Sequence, residues 1–215
     1  MKSPKAVATP SIEEVVAMAP ELNAWTEMAA RAFGSYSGIN EAIKKLRPIG
    51  GPVCDHASEI RQQMIMIALI RSFAVMDRAS NVSFQAVYRF LKLPDALHLI
   101  ARCYADSEPK NTFENSLPEC KEAMSKFIDA YMSVDFTGLG RLQSFRNSAI
   151  AHITMPDIEK AKVTYSDVEK LIRATCEMAG RLTLMLSGGN DWPMEHLEDA
   201  HSAVYTFWTK AIKAQ

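Results

Sequence analysis

The sequence lacks most features that assign a chain to a class at sight. Its four cysteines, Cys54, Cys103, Cys120 and Cys176, lie far apart, so no C-x-x-C zinc or redox pair exists. Each sits among apolar residues in a helical pattern, which reads as free buried thiols rather than two disulfides. The longest apolar run, Met64 to Met76, is interrupted by Arg71 and Ser72. It falls short of the roughly 20 residues that a bilayer demands. No apolar signal core follows Met1-Lys2-Ser3-Pro4-Lys5, so a cytoplasmic protein with no membrane contact is expected. The net charge of −1 excludes binding of nucleic acid by bulk charge, though not by a local basic cleft. Period-2 alternation, internal repeats and low-complexity tracts are also missing, so no strands are expected.

What is present is helical periodicity. A length of 215 residues with 48% hydrophobic and 23% charged residues is enough for one domain with its own core. Residues 1–10, with two prolines, read as a disordered tail. Ser11 with Glu14 makes a capping box that opens a helix, which Gly34 is expected to stop near Phe33. A short helix covers Asn40 to Leu46, and Arg47-Pro48-Ile49-Gly50-Gly51-Pro52 is a break. The helix from Asp55 to Ala79 is hydrophobic nearly all round, which marks it as central and buried. Short helices follow Ser83 and Pro94, and Asp106 to Asn115 reads as a loop. Ser116 with Glu119 forms a second box, placing Pro118 in a first turn. That helix ends near Met132. Another starts near Asp135 to Leu139 and is closed by Pro156. Ser166 with Glu169 forms a third box, starting a helix to Leu186 that Ser187-Gly188-Gly189-Asn190 ends. A last helix runs from Pro193 to Lys213. The fold expected is all-α: an up-and-down helical bundle over residues 11–190, with additional helices at both ends and residues 191–215 packed on it as a C-terminal helix.

Chemistry concentrates in one place, Arg146-Asn147-Ser148-Ala149-Ile150-Ala151-His152. An Arg followed by four to six residues and a His is a weak pattern. With 11 arginines and five histidines, about 0.8 matches arise by chance, and one is found. Context adds more. Asn147 is small and polar, Ala151 leaves the imidazole unshielded, and the set lies in the last turns of a helix before Pro156. Histidine is suited to proton transfer near neutral pH.

The run Leu142-Gln143-Ser144-Phe145-Arg146-Asn147-Ser148-Ala149-Ile150-Ala151-His152, followed after a loop by Thr164-Tyr165-Ser166-Asp167-Val168-Glu169-Lys170-Leu171, resembles the HEPN superfamily. It is most similar to the abortive-infection (AbiU-type) branch, phage-defence proteins of bacteria. The resemblance covers residues 55 to 190 in helix order and 141 to 172 in motif detail. It implies a metal-independent endoribonuclease, with no cofactor and no metal. Two protomers would pair so that both motifs face one cleft. His152 would act as general base or acid on a ribose 2′-hydroxyl. Arg146 would stabilise charge on the phosphate, and Asn147 would orient the pair. The implied partners are RNA, a second copy of the chain and, as in toxin–antitoxin systems, an antitoxin of nucleotidyltransferase type. Thr154 stands where some HEPN toxins carry a tyrosine that such a partner modifies. The acidic residue that many relatives place soon after the His is here no nearer than Asp157, beyond the proline.

Geometry bears on the paired site independently. Six residues at about 100° each leave Arg146 and His152 about 120° apart on an ideal helix, so one straight helix does not easily aim both at one atom, and a bulge, the long arginine side chain or a second copy of the motif is needed.

Other features carry weaker signals. Arg141 and Arg71 are candidate RNA-binding residues. Arg71 and Asp77, near Arg78, are either cleft residues or a packing ion pair. Lys44, Lys45 and Arg47 form a basic cluster that could hold RNA phosphates, although a solvated helix face is the commoner meaning of such a cluster. His196 and His201 are five apart, not the four that a zinc pair on one helix face needs, and His56 and His98 are isolated. The 12 methionines read as core filling. Trp192, Phe207 and Trp208 belong either to the core or under a dimer partner. Two blander functions stand beside the ribonuclease: a non-catalytic helical module that binds RNA, nucleotide or protein, and a purely structural dimer. The plain structural reading of the motif has Arg146 pairing with a helix carboxylate and His152 capping the helix end.

Overall fold

The computed structural model describes residues 8–48, 50–107, 112–140 and 164–213. Arg141, Arg146, Asn147 and His152 lie outside the described residues, as do Pro156 and the first seven residues of the expected tail. Every element among the described residues is helical, as the periodicity requires. We label the helices α1 (Ile12–Leu46), α2 (Gly51–Val75), α3 (Phe84–Leu91), α4 (Ala96–Ser107), α5 (Phe113–Met132), α6 (Tyr165–Ser187) and α7 (Pro193–Lys213). Residues 136–140 form a further helical stretch. No helix among the described residues is long and apolar enough to cross a membrane.

The expected box at Ser11 is present. The Ser11 amide donates to the Glu14 carboxylate at 2.7 Å, and the Glu14 amide donates to Ser11 Oγ at 3.3 Å. The helix it opens does not stop at Gly34. It continues to Leu46 as one element of 35 residues, about 52 Å long at 1.5 Å per residue. Gly34 and Gly38 are interior residues with a packing role. A Cβ on Gly34 would lie 2.1 Å from the Leu197 carbonyl oxygen, and one on Gly38 would lie 2.6 Å from that of His201. The two glycines let the backbones of α1 and α7 touch.

Paired residue numbers give the directions. Asn23 donates to Asp191 and Lys45 to Tyr205, so α1 and α7 run parallel. Arg61 donates to Asn40, while Arg71 stacks on Trp25, so α2 runs antiparallel to α1. Ile39, Ala42, Ile43, Ala57 and Trp208 form a small second core where α1, α2 and α7 meet.

The main core is built on α6, not α2. Twelve α6 residues are buried against six in α2, and α2 exposes Ile67 at 39% and Ile70 at 38%. The expectation of a central α2 therefore fails. The charged residues of α6 share one face, on which Arg173 pairs with Glu169 and Arg181 with Glu177 at one-turn spacing. The rest of its circumference is free to be buried. Left-handed Gly188 (φ 67°) ends α6, and Trp192 folds back onto Gly180, where an added Cβ would meet its ring at 2.2 Å. All four cysteines are free. Burial pushes the Cys120 thiol up to about 11 and the Cys176 thiol up to about 12.

Two caps sit where the sequence reading did not put them. α5 is capped by Thr112, whose hydroxyl accepts from the Asn115 amide. Ser116 is buried within the helix with its hydroxyl on the Thr112 carbonyl, and Pro118 is interior. α6 is capped by Thr164 in a reciprocal box with Asp167, whereas Glu169 is taken by Arg173. Thr164→Ala is therefore expected to cost about 1 kcal/mol. Ser166→Ala is expected to stay within about 0.5 kcal/mol of the parent. Urea unfolding of the two variants measures both, and equal losses would contradict the cap assignment.

Candidate functional site

A cleft of about 610 Å³ opens where the end of α2, the helix α3, the end of α5 and the stretch 136–140 converge. Its floor is held by a tight connection after α2. Asp77 Oδ1 accepts from the Ala79 amide at 2.9 Å, and the Ser80 hydroxyl bridges the amide and carbonyl of Val82. Ser83 then caps α3, and Gln85 Nε2 donates to the Met76 carbonyl at 3.0 Å. These bonds fix α3 against α2, because a short helix cannot hold its own orientation.

One wall is aromatic. Tyr88 of α3 and Tyr131 of α5 stack with centroids 3.9 Å apart and planes 12° apart. Phe136 lies 5.1 Å from Tyr131 and is 41% exposed. Lys92 Nζ stands 5.0 Å from the Tyr88 ring centroid. Burial raises the Tyr131 hydroxyl above its ordinary range and the neighbouring Tyr88 adds to this, while Arg78 and Arg89 oppose it. Both arginines line the cleft. Arg78 is exposed. Arg89 is half-buried, and its Nε and Nη2 are buried without a hydrogen-bond partner.

The stretch leading to the motif forms part of the same wall. Asp135 starts it, accepting from the Thr137 amide at 3.0 Å and from the Leu139 amide at 2.7 Å. Leu139 and Gly140 line the cleft, and Arg141 and Arg146 follow one and six residues later in sequence.

Of the expected site residues, Arg71 is the one described. Its guanidinium carbon lies 4.0 Å from the Trp25 ring centroid, and it is not among the residues lining the cleft. Asp77 does line the cleft. The basic cluster at the end of α1 is partly engaged, since Lys45 donates to the Tyr205 hydroxyl. Trp208 belongs to the second core, while Phe207 is 63% exposed.

Sequence reasoning missed Tyr88, Arg89, Tyr131 and Phe136. The one usable signal was Arg89, a cation set among Val87, Phe90 and Leu91, all of them buried.

Glu27, Asp191 and His196 bring potential metal-ligand atoms within 4.8 Å of one another. Their chemistry is already accounted for. Arg31 Nη2 meets His196 Nδ1 at 2.9 Å and Arg31 Nε donates to Glu27 at 2.7 Å. Arg31 can only donate, so Nδ1 accepts and Nε2 carries the hydrogen toward Asp191, 3.3 Å away. The guanidinium already supplies the cation that Glu27 faces. The group ties α7 to α1.

A protein-family model of the HEPN class, described as AbiU2, matches residues 13–207. No curated protein and no solved structure gave a match. The matched span is wider than residues 55 to 190, over which the sequence itself resembles the superfamily. It takes in both walls of the cleft, the motif, α1 and most of α7: the chain belongs to the AbiU2 family of HEPN proteins.

Proposed function

We propose that the protein is a metal-independent endoribonuclease of bacterial phage defence, or the toxin of a toxin–antitoxin pair, whose active site is shared between two protomers. The observation that carries this is the segment Arg146-Asn147…His152 in a chain of the HEPN AbiU2 family. His152 takes the proton from a ribose 2′-hydroxyl, and the oxygen attacks the adjacent phosphorus. Arg146 neutralises the charge that builds on the phosphoryl oxygens, and Asn147 orients the reacting groups. The 5′-oxygen leaves with a proton supplied by an acid across the dimer. The products are a 2′,3′-cyclic phosphate and a 5′-hydroxyl end. RNA and a second copy of the chain are the partners, and an antitoxin of nucleotidyltransferase type is a third.

Incubating the purified protein with cellular RNA in excess chelator tests the reading. Cleavage leaving 2′,3′-cyclic phosphate ends is expected, and intact RNA after prolonged incubation would sink it. A second reading is favoured by the aromatic and cationic cleft: a module of the same fold that holds RNA or nucleotide without cutting it. Intact RNA bound in that assay would favour this second reading.

A further inference from the structure

Two features of the cleft ask for the same ligand. Arg89 is charged at every physiological pH, yet Nε and Nη2 are withdrawn from water and bonded to nothing. Buried unpaired charge is a standing cost to the fold, which an anion drawn to the same guanidinium from the cleft would lessen. Arg89 forms part of the wall between two hollows. The smaller hollow, about 300 Å³, presents Glu14 and Glu21 and would repel an anion. The larger holds Arg78 beside it, and neither arginine has an ion pair among the described residues. Among the described residues Asp77 is the one carboxylate lining the larger hollow, so two described cations there outweigh one described anion.

The same hollow is lined by an aromatic surface ending in exposed Phe136. A volume of about 610 Å³ falls within the roughly 300–1,000 Å³ of sites that enclose small organic ligands. It admits one splayed-out nucleotide and not a duplex. Stacking requires an unpaired base, since base faces inside a helix are covered.

We propose that this cleft is a nucleotide-binding subsite for single-stranded RNA, with Arg78 and Arg89 on a phosphate and Phe136 stacked on the unpaired base. This rests on the reading of RNA as the substrate. It adds the strandedness of that substrate and a subsite formed by residues other than the motif. Gly140, in the wall, stands six residues before Arg146 in the sequence.

The test measures binding, not cleavage, in a His152→Ala background. The probe is a labelled RNA of about twelve unpaired nucleotides, a length within the range that such grooves cover. The background protein is expected to bind it, and to bind a matching RNA duplex at least tenfold more weakly. Arg89→Gln and Arg78→Ala should each weaken single-strand binding by about tenfold. Each should also lower the salt dependence, log Kd against log salt, by about 0.7 per phosphate contact removed. Phe136→Ala should weaken binding at least fivefold without changing that slope. Arg102→Ala, an exposed arginine of α4 away from the cleft, should change nothing. Arg78 is on the surface, so its variant reports even if Arg89→Gln unfolds. Unchanged affinity in Arg78→Ala and Phe136→Ala, or no single-strand binding by the background protein, would overturn the proposal. A wild type that binds in this pattern but cuts nothing would sink the ribonuclease reading and leave the subsite standing.

Discussion

His152→Ala is expected to lower RNA cleavage by about 10²- to 10⁴-fold, the usual loss when a general acid–base group is removed. Arg146→Ala should fall into a similar range, because a charge building on phosphate in a water-poor site is costly to leave unanswered. Binding of single-stranded RNA should survive the His152 change, since the proposed subsite contains neither residue. The larger discrimination comes from mixing the two inactive proteins. If each active site takes Arg146 from one chain and His152 from the other, a mixed dimer rebuilds one of its two sites. Random exchange makes about half the dimers mixed, so about a quarter of wild-type activity should return. If each site uses both residues of one chain, mixing two dead proteins returns nothing. The approximately 120° between Arg146 and His152 on an ideal helix is the reason to expect the first outcome. A mixture no more active than its components, with subunit exchange demonstrated, would refute a site that pairs Arg146 of one chain with His152 of the other.

The sequence made the helices legible where a terminus has its own chemistry. Ser11 with Glu14, Ser83, and Gly188 each act where the chain pattern puts them, because a cap is a local contact among residues a few positions apart. Two other caps slipped. Thr112 and Thr164 are as able to cap as Ser116 and Ser166, and the sequence alone does not rank neighbouring candidates. Glu119, read as half of a box, instead accepts from the Tyr104 hydroxyl of α4, a partner that only packing provides. The rank order of burial was also hidden. α2 carries the most continuous apolar run, but α6 has neighbours on more sides, so the length of an apolar run does not identify the central helix. The cleft illustrates the same limit. Its walls come from residues 73–78, 85–89, 131 and 136–140, four separated stretches with no shared period. The motif is the reverse case, legible in sequence because its residues are close together in the chain.

Gly34→Val should be the most damaging single change in the scaffold. Read as a helix terminator, Gly34 would tolerate few residues for conformational reasons. Read as a contact, it fails for a steric one. The first added carbon would stand 2.1 Å from the carbonyl oxygen of Leu197 and 3.0 Å from its carbonyl carbon. Both atoms belong to the backbone of α7, so no rotamer change relieves the overlap. The helices must part by at least about 1.3 Å to reach ordinary contact distance, which begins near 3.4 Å. Parting them loosens Trp208 from the second core and stretches the His201–Glu41 and Arg31–His196 contacts, now 3.2 and 2.9 Å. Better helix propensity works the other way, but replacing an interior glycine gains no more than about 1 kcal/mol. Overpacking against a rigid neighbour costs about 3 kcal/mol at the upper end of its common range. The net loss of roughly 2–3 kcal/mol corresponds to a fall in Tm of about 4–12 °C for a chain of this size. Gly38→Val should behave alike, its Cβ lying 2.6 Å from the His201 carbonyl oxygen. Ser37→Ala, half-buried on the same turn, should stay within about 0.5 kcal/mol of the parent. Thermal unfolding reads the size of the effect, and limited proteolysis reads its place, with cleavage first entering α7. A Gly34→Val protein that melts with the parent and resists protease equally would mean that α7 does not depend on close contact with α1.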